Sequence, residues 1–286
     1  MQPTNWGRFG RVRTACIRST YEPARSDIDR DGVRVRSRCG GSGPCTVRRG
    51  ATSLLARLEC AKQPRTRFCH SAASGVIGWK NRGGWKCALP PAGKWIVAPI
   101  YSDSILKGER YRLAADADKA RIEPELACVL AHDLPARVEP YTAEEIGAAI
   151  SAVHMALEVI DCRYTDPHTL PFVQLLADGL FNHGLVLGEA ITLPNPGAMP
   201  SELEITVRGA KAERLNVNGR HPDGDPLLPI IWLANFLSTQ GIGLQAGQVV
   251  ITGSYAGVLD VPVNQPLHVQ FGEAGSLSVH FSTLEE

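Results

Sequence analysis

The feature that most constrains the fold is a series of short apolar runs cut by glycine and proline. They read "KWIVAPIY", "ELACVLA", "LEVIDCRY", "GLVLGEAI", "ELEITVRG", "QVVITGS", "LHVQF" and "LSVHF". Runs of this length, rich in Val, Ile and Leu and bounded by turn formers, predict strands. The closing pair flanks "GEAG", a hairpin turn signal. Two helices are signalled among them. Thr142 with Glu145 forms a capping box, and Ile146, Ile150, Val153 and Leu157 follow at helical spacing, which puts His154 on the same element. The second helix opens near Pro226, runs through "LLPIIWLANFLSTQ" and stops at Gly241. It is apolar nearly all round, so it is expected to be packed on several sides. Many strands, few helices and no regular alternation of the two predict an α+β fold rather than a doubly wound parallel sheet.

A change of texture near residue 72 divides the chain of 286 residues. Residues 1–71 lack helical or strand periodicity and are rich in Arg, Gly, Ser and Pro, as in "SRCGGSGPCTVRRG". That composition predicts an irregular segment, with "ATSLLARLEC" as a short helix. Residues 1–70 hold 15 Lys plus Arg against 5 Asp plus Glu, and the remainder holds 15 against 24. A basic arm for an anionic partner, a transit segment and a stretch of different origin from the body are the readings left open. Few aromatics accompany the arginines, which argues against stacking on bases, so no nucleic-acid partner is expected. The body, residues 72–286, carries the strand and helix signals above and is expected to be the folded domain. No run of about 18 apolar residues occurs, so no membrane span is expected. The amino terminus lacks the apolar core of a secretory signal, and a cytoplasmic location is expected. Six of the eight cysteines precede residue 90 without a CxxC pair, which disfavours zinc. Cys128 and Cys162 sit in apolar runs and read as core residues.

Familiar catalytic motifs fail one by one. The glycines of "GIGLQAG" are one residue off the dinucleotide pattern and follow a helix where a strand is required. No P-loop, GxSxG elbow or HExxH spacing occurs. What remains is carboxylates inside apolar strands. In "RIEPELACVL", Glu123 and Glu125 flank a proline and point to the same side of an extended chain, about 7 Å apart at Cα. Glu158 repeats the oddity between Leu157 and Val159. A solvated strand face accounts for such acids. An oxygen-only site for a hard divalent ion, Mg²⁺ or Mn²⁺, is the alternative, because the ion relieves the repulsion between neighbouring carboxylates.

From about residue 76 to the end the chain resembles the 2-keto-4-pentenoate hydratase and 4-oxalocrotonate decarboxylase branch of the fumarylacetoacetate hydrolase superfamily. The resemblance rests on "GWKCAL", "RIEPELACVL", "HDLPARVEPYTAEEIGAAI", "ALEVIDCRY", "LLADG", "LVLGEAI" and "WLANFL…GIGLQAGQVVITGS". It implies a β-rich mixed sheet or roll of the fumarylacetoacetase C-terminal type with a few packed helices. It implies Glu123, Glu125 and Glu158 as metal ligands, Lys86 as the active-site lysine and Ser254 against the substrate. "GVIGWKNRGGWK" carries the lysine pattern twice, so Lys80 is a rival to Lys86. The implied reaction is hydration of 2-hydroxypenta-2,4-dienoate to 4-hydroxy-2-oxopentanoate. Decarboxylation of 2-oxohex-3-enedioate and hydrolysis of acylpyruvates are alternatives, and a non-catalytic binding module with a nucleic-acid-gripping arm is the alternative outside enzymes. Glutamate as the third acid, and no lysine in "LLADGLFNHG", favour the hydratase and decarboxylase side. The chain departs from relatives at Ala177–Phe181, where they read Ala-Asp-Asn. Asp103 and Arg163 read as structural. The family also implies an oligomer, which the apolar helix after Pro226 would suit.

Overall fold

The computed structural model describes residues 81–283, apart from 92–93, 165–166 and 211–213, together with the residue pairs 36–37 and 45–46. The chain divides into two units, residues 1–51 and 52–286. In the first, strands β1 (Arg36–Ser37) and β2 (Cys45–Thr46) pair antiparallel. The rest of the expectation for residues 1–71, including the short helix, and the rival Lys80 lie outside the described residues.

Among the described residues, the second unit is built on two sheets. The larger contains β3 (Arg82–Ala88), β4 (Ile96–Tyr101), β5 (Ile105–Leu106), β7 (Lys119–Leu130), β8 (Ile150–Ile160), β9 (Asn182–Ala190), β12 (Val249–Ile251) and β13 (Leu259–Pro262). Its strands run in the order β4-β3-β12-β7-β8-β9-β5, with β13 paired to the outer half of β7. The smaller has the order β11-β10-β14-β15-β6, from β6 (Arg110–Arg112), β10 (Glu202–Gly209), β11 (Arg214–Arg220), β14 (Pro266–Phe271) and β15 (Ser276–Ser282). Parallel pairs at β12–β3, β5–β9 and β15–β6 make both sheets mixed. Among the described residues there are three α-helices: α1 (Ala143–Ala149), α2 (Phe172–Ala177) and α3 (Leu227–Thr239). The α+β, β-rich mixed roll read from the sequence is the architecture observed.

One face of the large sheet carries Leu126, Cys128, Leu157 and Val159. These share a core with Val269, Phe271, Val279 and Phe281 of the small sheet and with Ile146, Ile230 and Leu233 of α1 and α3. The opposite face is lined by smaller groups, Ala127 and Ala156 beside Leu185, Val249 and Ile251. Glu123, Glu125 and Glu158 lie on that second face, in step with Ala127 and Ala156.

The capping box at Thr142 and Glu145 forms as expected. The helix it starts does not run through Val153 and Leu157, however. It ends at Ala149, and Ile150 opens β8, which also carries His154. A four-residue spacing is even, so Val153 and Leu157 fit one face of a strand as well as one face of a helix. The β-branched residues Ile150, Val153, Val159 and Ile160 favour the strand. The second helix matches its prediction, with Pro226 before the first turn and Gly241 at φ +70° after the last.

Proline 124 would normally argue against a central strand, since it cannot donate to a ladder. Here β13 pairs with residues 119–122 of β7, and β12 with residues 127–129, leaving a gap on that edge. The carbonyl of Pro124 faces the gap and accepts from the N–H of Tyr255 at 3.0 Å and the hydroxyl of Ser254 at 3.1 Å. A turn, not a strand, occupies the proline side, so no ladder donor is missing.

Candidate metal centre

Register brings the acids together. Glu123 lies directly across the β7–β8 ladder from Glu158, and Glu125 is across from Ala156. One carboxylate oxygen of each of Glu123, Glu125 and Glu158 lies within 4.8 Å of the others. Glu125 and Glu158 are buried, at 2% and 0% exposure, which removes the solvated-face account for both. Lys86, in β3, reaches Glu158 Oε1 with its Nζ at 2.7 Å. The two residues are three strands apart, about 14 Å in a flat sheet. The length of the lysine side chain and the curl of the sheet close that distance.

Each charged group has further partners. Glu158 Oε1 also accepts from Asn182 Nδ2 at 2.8 Å, and Glu125 Oε2 accepts from the Gly253 N–H at 2.7 Å. Lys86 Nζ donates its second hydrogen bond to the Leu180 carbonyl at 3.0 Å. An ammonium has three N–H donors, so one remains directed by neither partner. Leu180 belongs to a left-handed turn in which Gly179, Leu180 and Phe181 have φ of +85°, +54° and +66°. Leu180 and Phe181 in that region store about 1–3 kcal/mol each. Arg163 holds both ends of the turn, donating from Nη1 to the carbonyls of Asp178 (2.9 Å) and Asn182 (3.2 Å). The Asp178 carboxylate in turn accepts the Arg163 N–H at 3.2 Å.

The electrostatics follow from burial and crowding. Burial, then the charges of Glu158 and Glu123, push Glu125 well above the usual carboxylate range. Burial, then the Glu158 charge, raises Glu123 from 4.5 to about 7. Burial alone would lower the pKa of Lys86, but the charges of Glu158 and Glu123 outweigh it and hold the ammonium protonated. Two like charges 4.8 Å apart repel by about 3.5 kcal/mol at an effective dielectric of ~20, and one lysine does not neutralise three acids.

The donor set fits a hard divalent cation. It is oxygen-only and anionic, and Glu158 Oε2 is fully buried with no hydrogen-bond partner among the described residues. A buried carboxylate oxygen without a donor is costly unless something cationic faces it. The other nucleophile candidates are spoken for. Burial raises the Cys128 thiol to about 12 and Cys87 well above its usual value, so neither supplies a thiolate.

The four residues Lys86, Glu123, Glu125 and Glu158 thus stand together. Ser254 lies beside them, but its single O–H lies 3.1 Å from the carbonyls of both Pro124 and Gly257 and is shared between them, and its oxygen accepts from the Ala256 N–H. That arrangement ties the 253–257 turn to β7. Lys86 lies within β3, next to the buried Trp85, and not at a strand end. Asp103 is exposed in a 3-10 turn. Cys162, expected in the core, is partly exposed just past β8, because the strand ends at Ile160. Sequence reading missed Asn182, the Leu180 carbonyl and the Gly253 N–H. Two of these are backbone groups with no side-chain signature. Asn182 could have been sought as the nearest amide to the departure at Ala177–Phe181.

An acidic triad with a lysine, on one face of a curled mixed sheet, defines a β-roll with a candidate metal centre. The chain belongs to the family described as fumarylacetoacetate (FAA) hydrolase C-terminal, whose model matches residues 91–285. It is 31% identical over 169 residues to a 2-oxo-hept-4-ene-1,7-dioate hydratase of Escherichia coli, covering 56% of this chain and 61% of that protein. It is 27% identical over 164 residues to a 2-keto-4-pentenoate hydratase of Paraburkholderia xenovorans (strain LB400), covering 57% and 59%. The chain therefore spans about six-tenths of the length of these curated relatives. The fold is shared with 4-oxalocrotonate decarboxylase from Pseudomonas putida G7, solved with magnesium and adipate, at a TM-score of 0.55 and 20% identity. That match covers 70% of this chain and 78% of that one.

Proposed function

We propose that the chain is a divalent-metal-dependent hydratase of unsaturated 2-oxo acids, acting on 2-hydroxypenta-2,4-dienoate to give 4-hydroxy-2-oxopentanoate. The observation that carries this reading is the cluster of Glu123, Glu125 and Glu158 with Lys86 Nζ 2.7 Å from Glu158 Oε1. The three glutamates would hold Mg²⁺ or Mn²⁺, which supplies a Lewis acid for the carboxylate and keto oxygens of a 2-oxo acid. Magnesium in the structure of the related fold, and relatives named as hydratases of 2-oxo acids, support the reading.

The protein's own groups do the rest. Glu158 holds Lys86 charged, and the remaining N–H of Lys86 is available to donate to a substrate oxygen or to deliver a proton along the conjugated chain. Asn182 and Lys86 together fix Glu158 Oε1, which orients Oε2 without further help. The buried cluster of Ala127, Ala156, Leu185 and Ile251 backs the acids with apolar groups on the same face of the sheet, which lowers the local dielectric and strengthens their hold on a cation. Oligomerisation through the half-exposed outer side of α3 accords with this reading.

A dicarboxylate substrate, hydrated or decarboxylated, is the second reading. Arg121 favours it, since it precedes Glu123 on the same face of β7 and its side chain is 44% exposed, paired only at 3.7 Å, from Nε to Asp260 Oδ1. A guanidinium there suits the distal carboxylate of a longer diacid. The test is incubation of purified protein and Mg²⁺ with a panel of unsaturated 2-oxo mono- and diacids. Loss of the ultraviolet dienol band with formation of the 4-hydroxy-2-oxo product supports the hydratase. Carbon dioxide release from the six-carbon diacid, with no hydration of the dienoate, overturns it in favour of the decarboxylase.

A further inference from the structure

We propose that His221 is a positioning residue for Glu125, acting through Thr252 and Gly253, and that it sets the affinity of the centre for its divalent ion. The proposal rests on the reading of the triad as a metal site. His221 follows β11 and is 2% exposed, as buried as Glu125 itself. A histidine placed so deep without a catalytic contact needs its two ring nitrogens satisfied. The N–H of Asp223 donates to His221 Nδ1 at 3.2 Å, which makes Nδ1 the acceptor. Nε2 therefore carries the proton and donates to Thr252 Oγ1 at 3.1 Å. Burial favours the neutral ring that this tautomer requires, with Asp223 and Asp225 opposing.

Thr252 is the residue through which this bond reaches the centre. It is 2% exposed and precedes Gly253 at the end of β12. The N–H that Gly253 gives to Glu125 Oε2 at 2.7 Å lies in the peptide plane joining Thr252 to Gly253. Fixing the Thr252 side chain fixes the setting of that plane. The same loop packs on the glycine from outside. Gly253 has φ +131°, and a Cβ built there would lie 2.7 Å from Pro222 Cγ. Histidine 221, bonded to Thr252, and Pro222, packed on Gly253, thus together hold the peptide that presents the donor to Glu125. The loop is anchored in turn to the strand that carries Lys86, since Asp223 Oδ2 accepts from the Leu89 N–H at 3.0 Å just after β3.

The outer partners of metal ligands contribute about 10–100-fold to metal affinity. Acting at one remove, His221 is expected at the lower end, about tenfold. Three variants of the full chain separate positioning from simple support of the fold. His221→Asn keeps an acceptor near the Asp223 N–H but loses the donor to Thr252. Thr252→Val removes the acceptor with little change of shape. His221→Gln can place its amide N–H near the position of Nε2. Mg²⁺ is titrated calorimetrically into each EDTA-treated protein, beside a thermal melt without metal. The expected result is a dissociation constant about tenfold weaker for His221→Asn and for Thr252→Val. Their double variant should be no worse than the weaker single. His221→Gln should lie within about threefold of wild type. Unchanged Mg²⁺ affinity in Thr252→Val and in whichever His221 variants fold, with only a lower Tm, overturns the proposal. Absence of Mg²⁺ binding by the wild type overturns instead the metal reading on which it rests.

Discussion

Replacing Glu123 with glutamine separates the stability of the chain from the use of its carboxylates. Without metal, burial and the facing charge of Glu158 raise Glu123 from 4.5 to about 7. Ionising it in the folded chain at pH 8 then costs about 3 kcal/mol relative to the unfolded chain. The folded state binds this proton more tightly than the unfolded one. Stability from this group is therefore fullest below pH 4.5, falls as the pH climbs to about 7, and is level above that. Glutamine has a similar shape and no charge to lose, so metal-free Glu123→Gln should exceed metal-free wild type by up to about 3 kcal/mol at pH 8. For a chain of this size that is about 6–12 °C in Tm. At pH 5 the two should converge, and with saturating Mg²⁺ at pH 8 wild type should become the more stable. Thermal melts followed by circular dichroism, with EDTA or with Mg²⁺, read all three conditions. A variant less stable than wild type at pH 8 in EDTA would refute the reasoning, because Glu123 would then be held by attraction and not crowded by like charge.

Other perturbations probe other parts of the centre. Lys86→Met should lower kcat by about 10²–10⁴-fold and leave Glu158 buried without its cation, so the metal-free protein should also melt lower in the same circular dichroism assay. Asn182→Leu removes one of the two donors to Glu158 Oε1 and should weaken Mg²⁺ binding by about tenfold in calorimetry, with little change in KM once metal is saturating. Ser254→Ala should cost about 1 kcal/mol in urea denaturation through the lost bonds to Pro124 and Gly257. A rise in KM without that loss of stability would show instead that the hydroxyl serves the substrate.

Much of this architecture was legible because the chain is punctuated. All eight quoted apolar runs are strands, and "GEAG" is the β14–β15 turn. The misjudged stretch is the one where period could not arbitrate, since Val153 and Leu157 satisfy a strand face and a helix face alike. β11 was unreadable for a different reason. "RLNVNGR" is an edge strand with mostly polar, solvent-facing residues and leaves no apolar signature. For the candidate site, strand alternation alone placed Glu123 and Glu125 on one side. That Glu158 joins them depends on the register of β7 with β8, which no local pattern reveals. The donors that hold the acids were hidden further still, because Gly253 and Leu180 contribute backbone groups. Their geometry depends on positive φ at Gly253 and on the left-handed turn at Gly179–Phe181.

The central claim is that three glutamates from two paired strands grip one divalent cation. Equilibrium dialysis of metal-free protein against Mn²⁺, with metal counted by atomic emission, tests it most directly. One ion bound per wild-type chain, and none retained by Glu125→Ala at the same free concentration, is the result expected. A folded wild type that takes up no ion, or a Glu125→Ala protein that holds it as tightly, would contradict it.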